Sequence, residues 1–159
     1  MQEPQYRENL PEGCPLPESC HDNKILFRLV SKKEYVDDDY YSQAIKKPGK
    51  RAKRSARSLC RFHSVSMLGT VEDWKKKKKT LGSGYIAKIE VTPDSGKLFK
   101  AKPPSEHYDW WPYKHYPINE HVLEYLEFSN HETENIDRDR RNSIWIWWSV
   151  PFYRNGWTK

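Results

Sequence analysis

The stretch Gly-Tyr-Ile-Ala-Lys-Ile-Glu-Val, residues 84–91, is the clearest strand in the sequence. Its tyrosine, alanine, second isoleucine and valine fall on one face, while its lysine and glutamate share the opposite face with the first isoleucine. This period of two is typical of a half-buried β-strand. The sequence Pro-Asp-Ser-Gly at residues 93–96 predicts a turn at its end.

The segments on either side of this strand carry opposite charge. Residues 46–79 hold 13 lysines and arginines against two acids, whereas residues 120–140 hold seven acids against two arginines. A strand that joins a cationic segment to a carboxylate-bearing segment predicts a functional site that draws on both.

Length and composition favour one domain with a basic surface. A chain of 159 residues buries roughly 70% of its unfolded surface in a single core. Residues 1–23 contain four prolines and predict an irregular N-terminal arm, and residues 24–159 predict a single α+β domain. The net charge of +6 favours a polyanionic partner, although a solvated basic loop would give the same charge.

Residues 24–30 form an almost continuous apolar run, as expected of a central strand that is buried on both faces. Arg28 interrupts this run. A buried arginine needs a partner or an opening to water. The sequence therefore predicts either an edge position, with the guanidinium reaching solvent, or an anion-binding site.

Capping patterns predict two short helices. One begins at Ser31, which is followed by Glu34 three residues later. The other runs from residue 71 to about residue 79, with Thr70 as its capping residue. The Pro-Gly-containing basic segment from Lys46 to Arg57 predicts a loop, and so does the aromatic segment at 103–117. Further strands are predicted at 58–66, 97–101, 120–128 and 143–150. A helix is the alternative at 120–128, because glutamate and leucine favour one. Because the strands do not alternate regularly with long helices, the fold class is α+β rather than a doubly wound sheet.

The sequence does not contain the patterns that are typical of disulfide-rich proteins, zinc sites, phosphate-binding loops or membrane spans. The three cysteines do not suggest a disulfide framework, and Cys14, Cys20, His21 and His63 match no zinc spacing. Cys60 with His63 alone is weak evidence for a thiol nucleophile. The sequence has no phosphate-binding glycine-rich loop and no apolar run of membrane-spanning length, so we expect a soluble protein without a membrane partner.

The order of certain motifs resembles the ADP-ribosyltransferase fold, in particular its small toxin-type members with an Arg-Ser-Glu signature. Phe-Arg-Leu-Val-Ser-Lys-Lys-Glu-Tyr at 27–35 is similar to the opening of such domains. Arg-Phe-His-Ser-Val-Ser at 61–66, Thr-Val-Glu-Asp-Trp-Lys at 70–75, the strand at 85–91 and Glu120 then follow in the same order. The resemblance covers residues 24–128.

This resemblance implies a mixed, mostly antiparallel split β-sheet with a few short helices, and NAD as the substrate. It assigns Arg28 to the NAD phosphates, and Ser64 and Ser66 to the nicotinamide side of the pocket. Glu120 would bind the ribose hydroxyl and stabilise the oxocarbenium ion, with Glu124 as a second candidate. Ile118 stands where the family has a glutamate or glutamine, which favours NAD hydrolysis or an acceptor other than an arginine side chain.

The expected partner is a macromolecular acceptor, protein or nucleic acid, recognised by the basic segment from Lys46 to Arg57. A toxin or effector that acts in the cytoplasm, its own or that of a target cell, would suit this activity. One alternative is a non-catalytic nucleic-acid-binding module that stacks bases on Trp110, Trp111 and the tryptophans at 145–148. Another is an RNase-like enzyme that uses His115 and His121.

Overall fold

The computed structural model describes residues 4–49, 55–77, 83–104 and 106–129. The strands are β1 (Lys24–Val30), β2 (Val65–Leu68), β3 (Ser83–Val91), β4 (Gly96–Lys100), β5 (His107–Pro112) and β6 (Val122–Ser129), and the helices are α1 (Gln43–Lys46), α2 (Ala56–Phe62) and α3 (Val71–Lys77). Short 3-10 turns lie at Asp37–Tyr40, Pro93–Ser95 and Ile118–His121. The predicted strand at 143–150 lies outside the described residues.

The strands form one sheet in the order β4-β5-β2-β1-β3-β6, and every described pairing is antiparallel. The α+β class with a few short helices is therefore confirmed. None of the helices in the described ranges has the length or the apolar run that crossing a bilayer requires.

The central strand β1 pairs very differently with its two neighbours. It pairs with β3 along its whole length, from Lys24 opposite Val91 to Val30 opposite Tyr85. Between β1 and β2, both fully described, the register contains a single pair, Phe27 opposite Leu68. The sheet therefore opens between β1 and β2 beyond that pair.

Both faces of the sheet carry apolar clusters. One face contributes the main core, in which Trp110 and Tyr40 are fully buried. On the opposite face α3 packs through Trp74, whose Nε1 donates to the carbonyl oxygen of Phe27 at 2.7 Å. The predicted start of α3 is confirmed, since Thr70 Oγ1 accepts the Asp73 amide at 3.2 Å. Helix α2 covers the β4–β5 end of this second face through Cys60.

The turn after β3 is confirmed, and it places Gly96 at the start of β4. Gly96 adopts a φ of 139°, a conformation that favours glycine. A Cβ at this position would lie 2.1 Å from the carbonyl oxygen of Trp111. The chain passes this close because β4 pairs with β5, from Gly96 opposite Pro112.

One helix prediction and one strand prediction are wrong. Ser31 begins no helix, because its amide and its Oγ both donate to Asp39 Oδ2 at 2.8 Å, and the chain bends there instead. The predicted strand at 58–66 is largely α2, whose N-cap Ser55 accepts the Ser58 amide at 3.2 Å. Only its last two residues belong to a strand, β2.

The aromatic segment at 103–117 is also not a loop, because most of its rings belong to β5 or pack behind it. Tyr108, Trp110 and Trp111 are buried strand residues. The basic segment from Lys46 to Arg57 begins at the end of α1 and ends within α2, and residues 50–54 lie outside the described residues.

The described part of the N-terminal arm, residues 4–23, packs along the sheet. Isolated bridges join Tyr6 to Tyr113 and Cys20 to Leu98. Cys14 forms a disulfide with Cys60 of α2, with their Cα atoms 5.4 Å apart. The cysteine spacing did not suggest this disulfide, because the two cysteines are far apart in sequence and meet only where the arm crosses α2.

Candidate active site

The candidate active site lies where the sheet opens between β1 and β2. Arg28 reaches the opening from the main-core face, whereas the Ser66 side chain lies on the face covered by α2 and α3. Arg28 Nη1 donates to the carbonyl oxygen of Ser66 at 2.6 Å, which spans the opening. Arg28 Nε donates to the carbonyl oxygen of Asp39 at 3.0 Å. The edge-strand alternative for Arg28 is wrong, because β1 is central and the residue is only 5% exposed.

The electrostatic state of Arg28 follows from this burial. Desolvation lowers the pKa of its guanidinium to about 10, although the Asp39 carboxylate opposes the shift. The guanidinium remains charged at neutral pH, while its described hydrogen bonds go to uncharged carbonyl oxygens. A cation held in this way gives the opening a positive potential.

A second set of contacts begins at the Ser66 side chain on β2. Ser66 Oγ lies 2.6 Å from His107 Nε2, and His107 Nδ1 lies 3.1 Å from Arg61 Nη2. Arginine can only donate hydrogen bonds. His107 Nδ1 must therefore accept from Arg61, so that its proton lies on Nε2 and is donated to Ser66 Oγ.

This tautomer decides what Ser66 can do. A serine nucleophile needs a histidine nitrogen that accepts its proton, whereas here His107 donates to Ser66. The Asp109 carboxylate is 4.0 Å from His107 Nδ1, and Arg61 takes the place that a triad aspartate would occupy. The arrangement is unsuited to serine hydrolysis and instead leaves the Ser66 hydroxyl proton to donate elsewhere.

Asp109 on β5 holds Arg61 and Ser64 together. Arg61 Nε donates to Asp109 Oδ2 at 2.6 Å, and Ser64 Oγ lies 2.7 Å from both Asp109 Oδ1 and the Arg61 carbonyl oxygen. Asp109 and Ser64 are buried, while the Arg61 side chain is 38% exposed. Ser64 therefore supports Arg61, and Arg61 is the member of this group that reaches solvent.

Positive charge predominates around His107. Burial lowers the pKa of the imidazole, and the cations Lys77, Arg61 and Arg28 lower it further, against the opposing effect of Asp109. These cations belong to α3, α2 and β1, so the positive charge that acts on the imidazole comes from three elements. Such a group favours a phosphate-bearing ligand.

Glu120 is not brought next to Arg28 and Ser66. It lies exposed in the 3-10 turn before β6, and β3 and β1 separate β6 from β2. Three strand spacings amount to about 14 Å. Glu124 lies on β6 opposite Lys88. Neither position tests a catalytic role, so both assignments stay predictions.

The carboxylate nearest in sequence to the site is Glu106, immediately before β5. Its carbonyl oxygen accepts the Gly69 amide at 2.8 Å, which ties it to the end of β2. Its exposed side chain contacts Lys100, with Oε1 2.9 Å from Nζ. Such an exposed pair rearranges at little cost, so this carboxylate can turn toward a ligand.

The residues of the two alternative functions are placed less favourably. Trp110 and Trp111 are buried and offer no surface for bases, and the tryptophans at 145–148 lie outside the described residues. His121 stacks on Tyr116 with centroids 4.5 Å apart. Its Nδ1 is also 3.8 Å from Glu90 Oε2, so it has the contacts of a packing residue.

The candidate metal and thiol residues are placed as follows. The disulfide engages Cys14 and Cys60, whereas Cys20 is free and exposed. Within the described ranges, no group of three or more His, Cys, Asp or Glu side chains is arranged to hold a metal ion.

The resemblance named Arg28, Ser64 and Ser66, whose assigned roles stay predictions, and it did not point to His107 or Asp109. The available signal was alternation, since residues 107, 109 and 111 share one face of β5. The high density of rings favoured a loop and hid this pattern.

Comparison with protein-family models, curated proteins and solved structures finds no match to this chain.

Proposed function

We propose that this chain is an NAD-consuming enzyme, an ADP-ribosyltransferase or NAD glycohydrolase, whose substrate binds where the sheet opens between β1 and β2. One observation carries the proposal. The resemblance assigns Arg28 to the NAD phosphates and Ser66 to the nicotinamide pocket, and Arg28 Nη1 lies 2.6 Å from the Ser66 carbonyl oxygen although the two residues are 38 positions apart in sequence.

The positive charge of the site supports a dinucleotide. Arg61 Nη2 lies 3.1 Å from His107 Nδ1, and the charges of Arg28 and of Lys77 on α3 also act on this imidazole. The pyrophosphate of NAD carries two negative charges, and charge-assisted hydrogen bonds from guanidinium groups suit it. Ser66 offers a hydroxyl donor on the other face of this opening, because its oxygen already accepts from His107.

Cleavage of the nicotinamide bond needs a carboxylate near the developing oxocarbenium ion. The resemblance names Glu120, whereas Glu106 adjoins His107 in sequence and is tied by its main chain to the end of β2. Glu106 is thus the first carboxylate to test, and Glu120 and Glu124 are the second and third.

The acceptor is a separate question. ADP-ribose released to water would make the protein a glycohydrolase. Transfer to a macromolecule, nucleic acid included, would engage the basic segment from Lys46 to Arg57. A toxin or effector that acts in the cytoplasm of a target cell fits either product.

The test is nicotinamide release from NAD by the purified protein, with nucleic acid and cell lysate offered as acceptors. Glu106→Gln, Glu120→Gln and Glu124→Gln are compared with Glu127→Gln, an exposed position on β6. Loss of the catalytic carboxylate should lower the rate by about 100-fold or more. Arg28→Lys should weaken NAD binding, because lysine cannot form the two-pronged contact.

The variants separate the possible outcomes. Loss only in Glu106→Gln supports the site described, and loss only in Glu120→Gln places the chemistry at the other end of the sheet. If the wild type releases no nicotinamide with any acceptor, the proposed enzymatic function is wrong. The alternative, phosphate contacts without catalysis, is then tested by oligonucleotide binding, which should weaken steeply with salt.

A further inference from the structure

We propose that Glu8 of the N-terminal arm is a positioning residue for Arg28, acting through the segment 37–42. The expected effect of Glu8 on NAD turnover rests on the proposed function. The claim that Glu8 holds Arg28 in place does not. Three sets of contacts connect the arm to the guanidinium.

The first set joins Glu8 to Ser42. Glu8 Oε1 accepts the Ser42 amide and Oε2 accepts the Ser42 hydroxyl, both at 2.6 Å. Ser42 is almost completely buried and is the N-cap of α1. A carboxylate that accepts two hydrogen bonds from one residue fixes both its position and its orientation.

The second set joins Arg7 to the start of the same segment. Its guanidinium forms an ion pair with Asp37 and lies 4.7 Å from the centre of the Tyr41 ring. The main chain of Arg7 is held in turn by the sheet, because its amide donates to the Pro112 carbonyl oxygen at 2.9 Å. The arm therefore connects the segment 37–42 to β5.

The third set joins the segment to Arg28. The Asp39 carbonyl oxygen accepts from Arg28 Nε at 3.0 Å, and the Asp39 carboxylate accepts both donors of Ser31. Lys46 Nζ lies 3.7 Å from Asp39 Oδ1. Asp39 is thus bound on its sheet side, while Glu8 and Arg7 bind the same segment on its outer side.

A consequence follows for the guanidinium. Arg28 divides its described hydrogen bonds between Asp39 and Ser66, so its plane is set by two carbonyl groups on different elements. If the segment 37–42 shifts, Arg28 loses one of these acceptors while it stays buried. A phosphate ligand would then meet a guanidinium of less defined orientation, which weakens a two-pronged contact.

The test compares Glu8→Gln with Glu12→Gln, which removes the same charge from an exposed position on the same arm. Protein labelled with ¹⁵N-arginine gives an Nε–H signal for Arg28, assigned by its loss in Arg28→Lys. We expect this proton to exchange with solvent about five- to tenfold faster in Glu8→Gln than in the wild type, as expected for one weakened hydrogen bond. Glu12→Gln should leave the rate unchanged. Thermal unfolding of each variant shows that the comparison is made on folded protein.

Turnover supplies the second measurement. In Glu8→Gln the KM for NAD should rise with a smaller change in kcat, since the phosphates are held equally in the ground and transition states. Unchanged Arg28 exchange alongside faster exchange of the Ser42 amide would overturn the proposal and leave Glu8 as a cap for α1. Absence of nicotinamide release in the wild type would count against the proposed function alone, because the exchange measurement does not require NAD.

Discussion

Arg28 and Ser66 are hydrogen-bonded across the opening in the sheet, with Arg28 Nη1 2.6 Å from the Ser66 carbonyl oxygen. At this level β1 and β2 do not form ladder pairs, since their register contains only Phe27 opposite Leu68. The arginine side chain therefore takes the place of main-chain hydrogen bonds. The side chain of Arg28 thus joins β1 to β2 where their main chains do not pair.

Removing this side chain should destabilise the protein. Arg28→Ala leaves the buried carbonyl oxygens of Asp39 and Ser66 without their donor, although it also relieves a buried charge. We expect a net loss of roughly 2–3 kcal/mol in the free energy of unfolding, measured by urea denaturation. The exposed Lys33→Ala should change it by less than about 0.5 kcal/mol. Equal losses in the two variants would contradict the joining role of Arg28.

The lowered pKa of His107 predicts a dependence of stability on pH. Burial and the charges of Arg28, Arg61 and Lys77 lower the pKa of this imidazole in the folded protein, although Asp109 raises it. Below about pH 6.5 the unfolded state therefore binds more protons than the folded state. The contribution of His107 to the free energy of unfolding is fully present above that pH. It is lost as the pH falls toward the lower pKa that His107 has in the folded protein. The loss has a limiting slope of about 1.4 kcal/mol per pH unit.

Urea denaturation between about pH 7.5 and about pH 5.5 measures this effect. The wild type should lose more stability over that range than His107→Gln, whose side chain does not titrate. His115→Gln, at an exposed position, should behave as the wild type does. The same pH dependence in His107→Gln and the wild type would show that His107 is not held neutral.

The local sequence pattern was sufficient to predict β1, β3, β6 and α3. Each of these elements has a run or a regular spacing of apolar residues, or a capping residue at its start. It failed at Ser31, where the expected cap instead donates to the carboxylate of Asp39, eight residues further along the chain. It failed again at residues 107–112, where aromatic density concealed an alternation that places His107 and Asp109 on one face. In both cases a tertiary contact outweighed the local signal.

The site was predictable only in part. A charge within an apolar run showed that Arg28 needs a partner, yet nothing in the sequence identifies a main-chain carbonyl of Asp39 as that partner. Hydrogen bonds to main-chain carbonyls depend on where the chain folds rather than on residue type. Arg61 and Asp109 likewise meet only because α2 lies over β5.

The disulfide between Cys14 and Cys60 should stabilise the protein by linking the arm to α2. The two cysteines are 46 residues apart in sequence, and closing a loop of that length is worth up to about 4 kcal/mol. We expect Cys14→Ser and Cys60→Ser each to lose roughly 2–4 kcal/mol in urea denaturation, whereas the exposed Cys20→Ser should lose little. In the native, non-reduced protein only Cys20 should react with an alkylating reagent, and alkylation of Cys14 there would show that the link is absent.

Gly96 should be the least replaceable glycine among those described. Its φ of 139° disfavours any other residue, and a Cβ would lie 2.1 Å from the Trp111 carbonyl oxygen and 2.8 Å from Pro112 Cα. Both atoms belong to the main chain of the paired strand β5, so no side chain can move aside. Gly96→Ala should therefore lower the free energy of unfolding by roughly 3 kcal/mol or more.

The matched control is Gly49→Ala, where a Cβ would meet nothing within 4 Å. Urea denaturation of both variants gives the comparison, and Gly49→Ala should be neutral or slightly stabilising. Because Gly96 pairs with Pro112 at the start of β4, the damage should appear first as faster amide exchange in β4. If Gly96→Ala were as stable as Gly49→Ala, the close approach of the two strands at this turn would be incorrect.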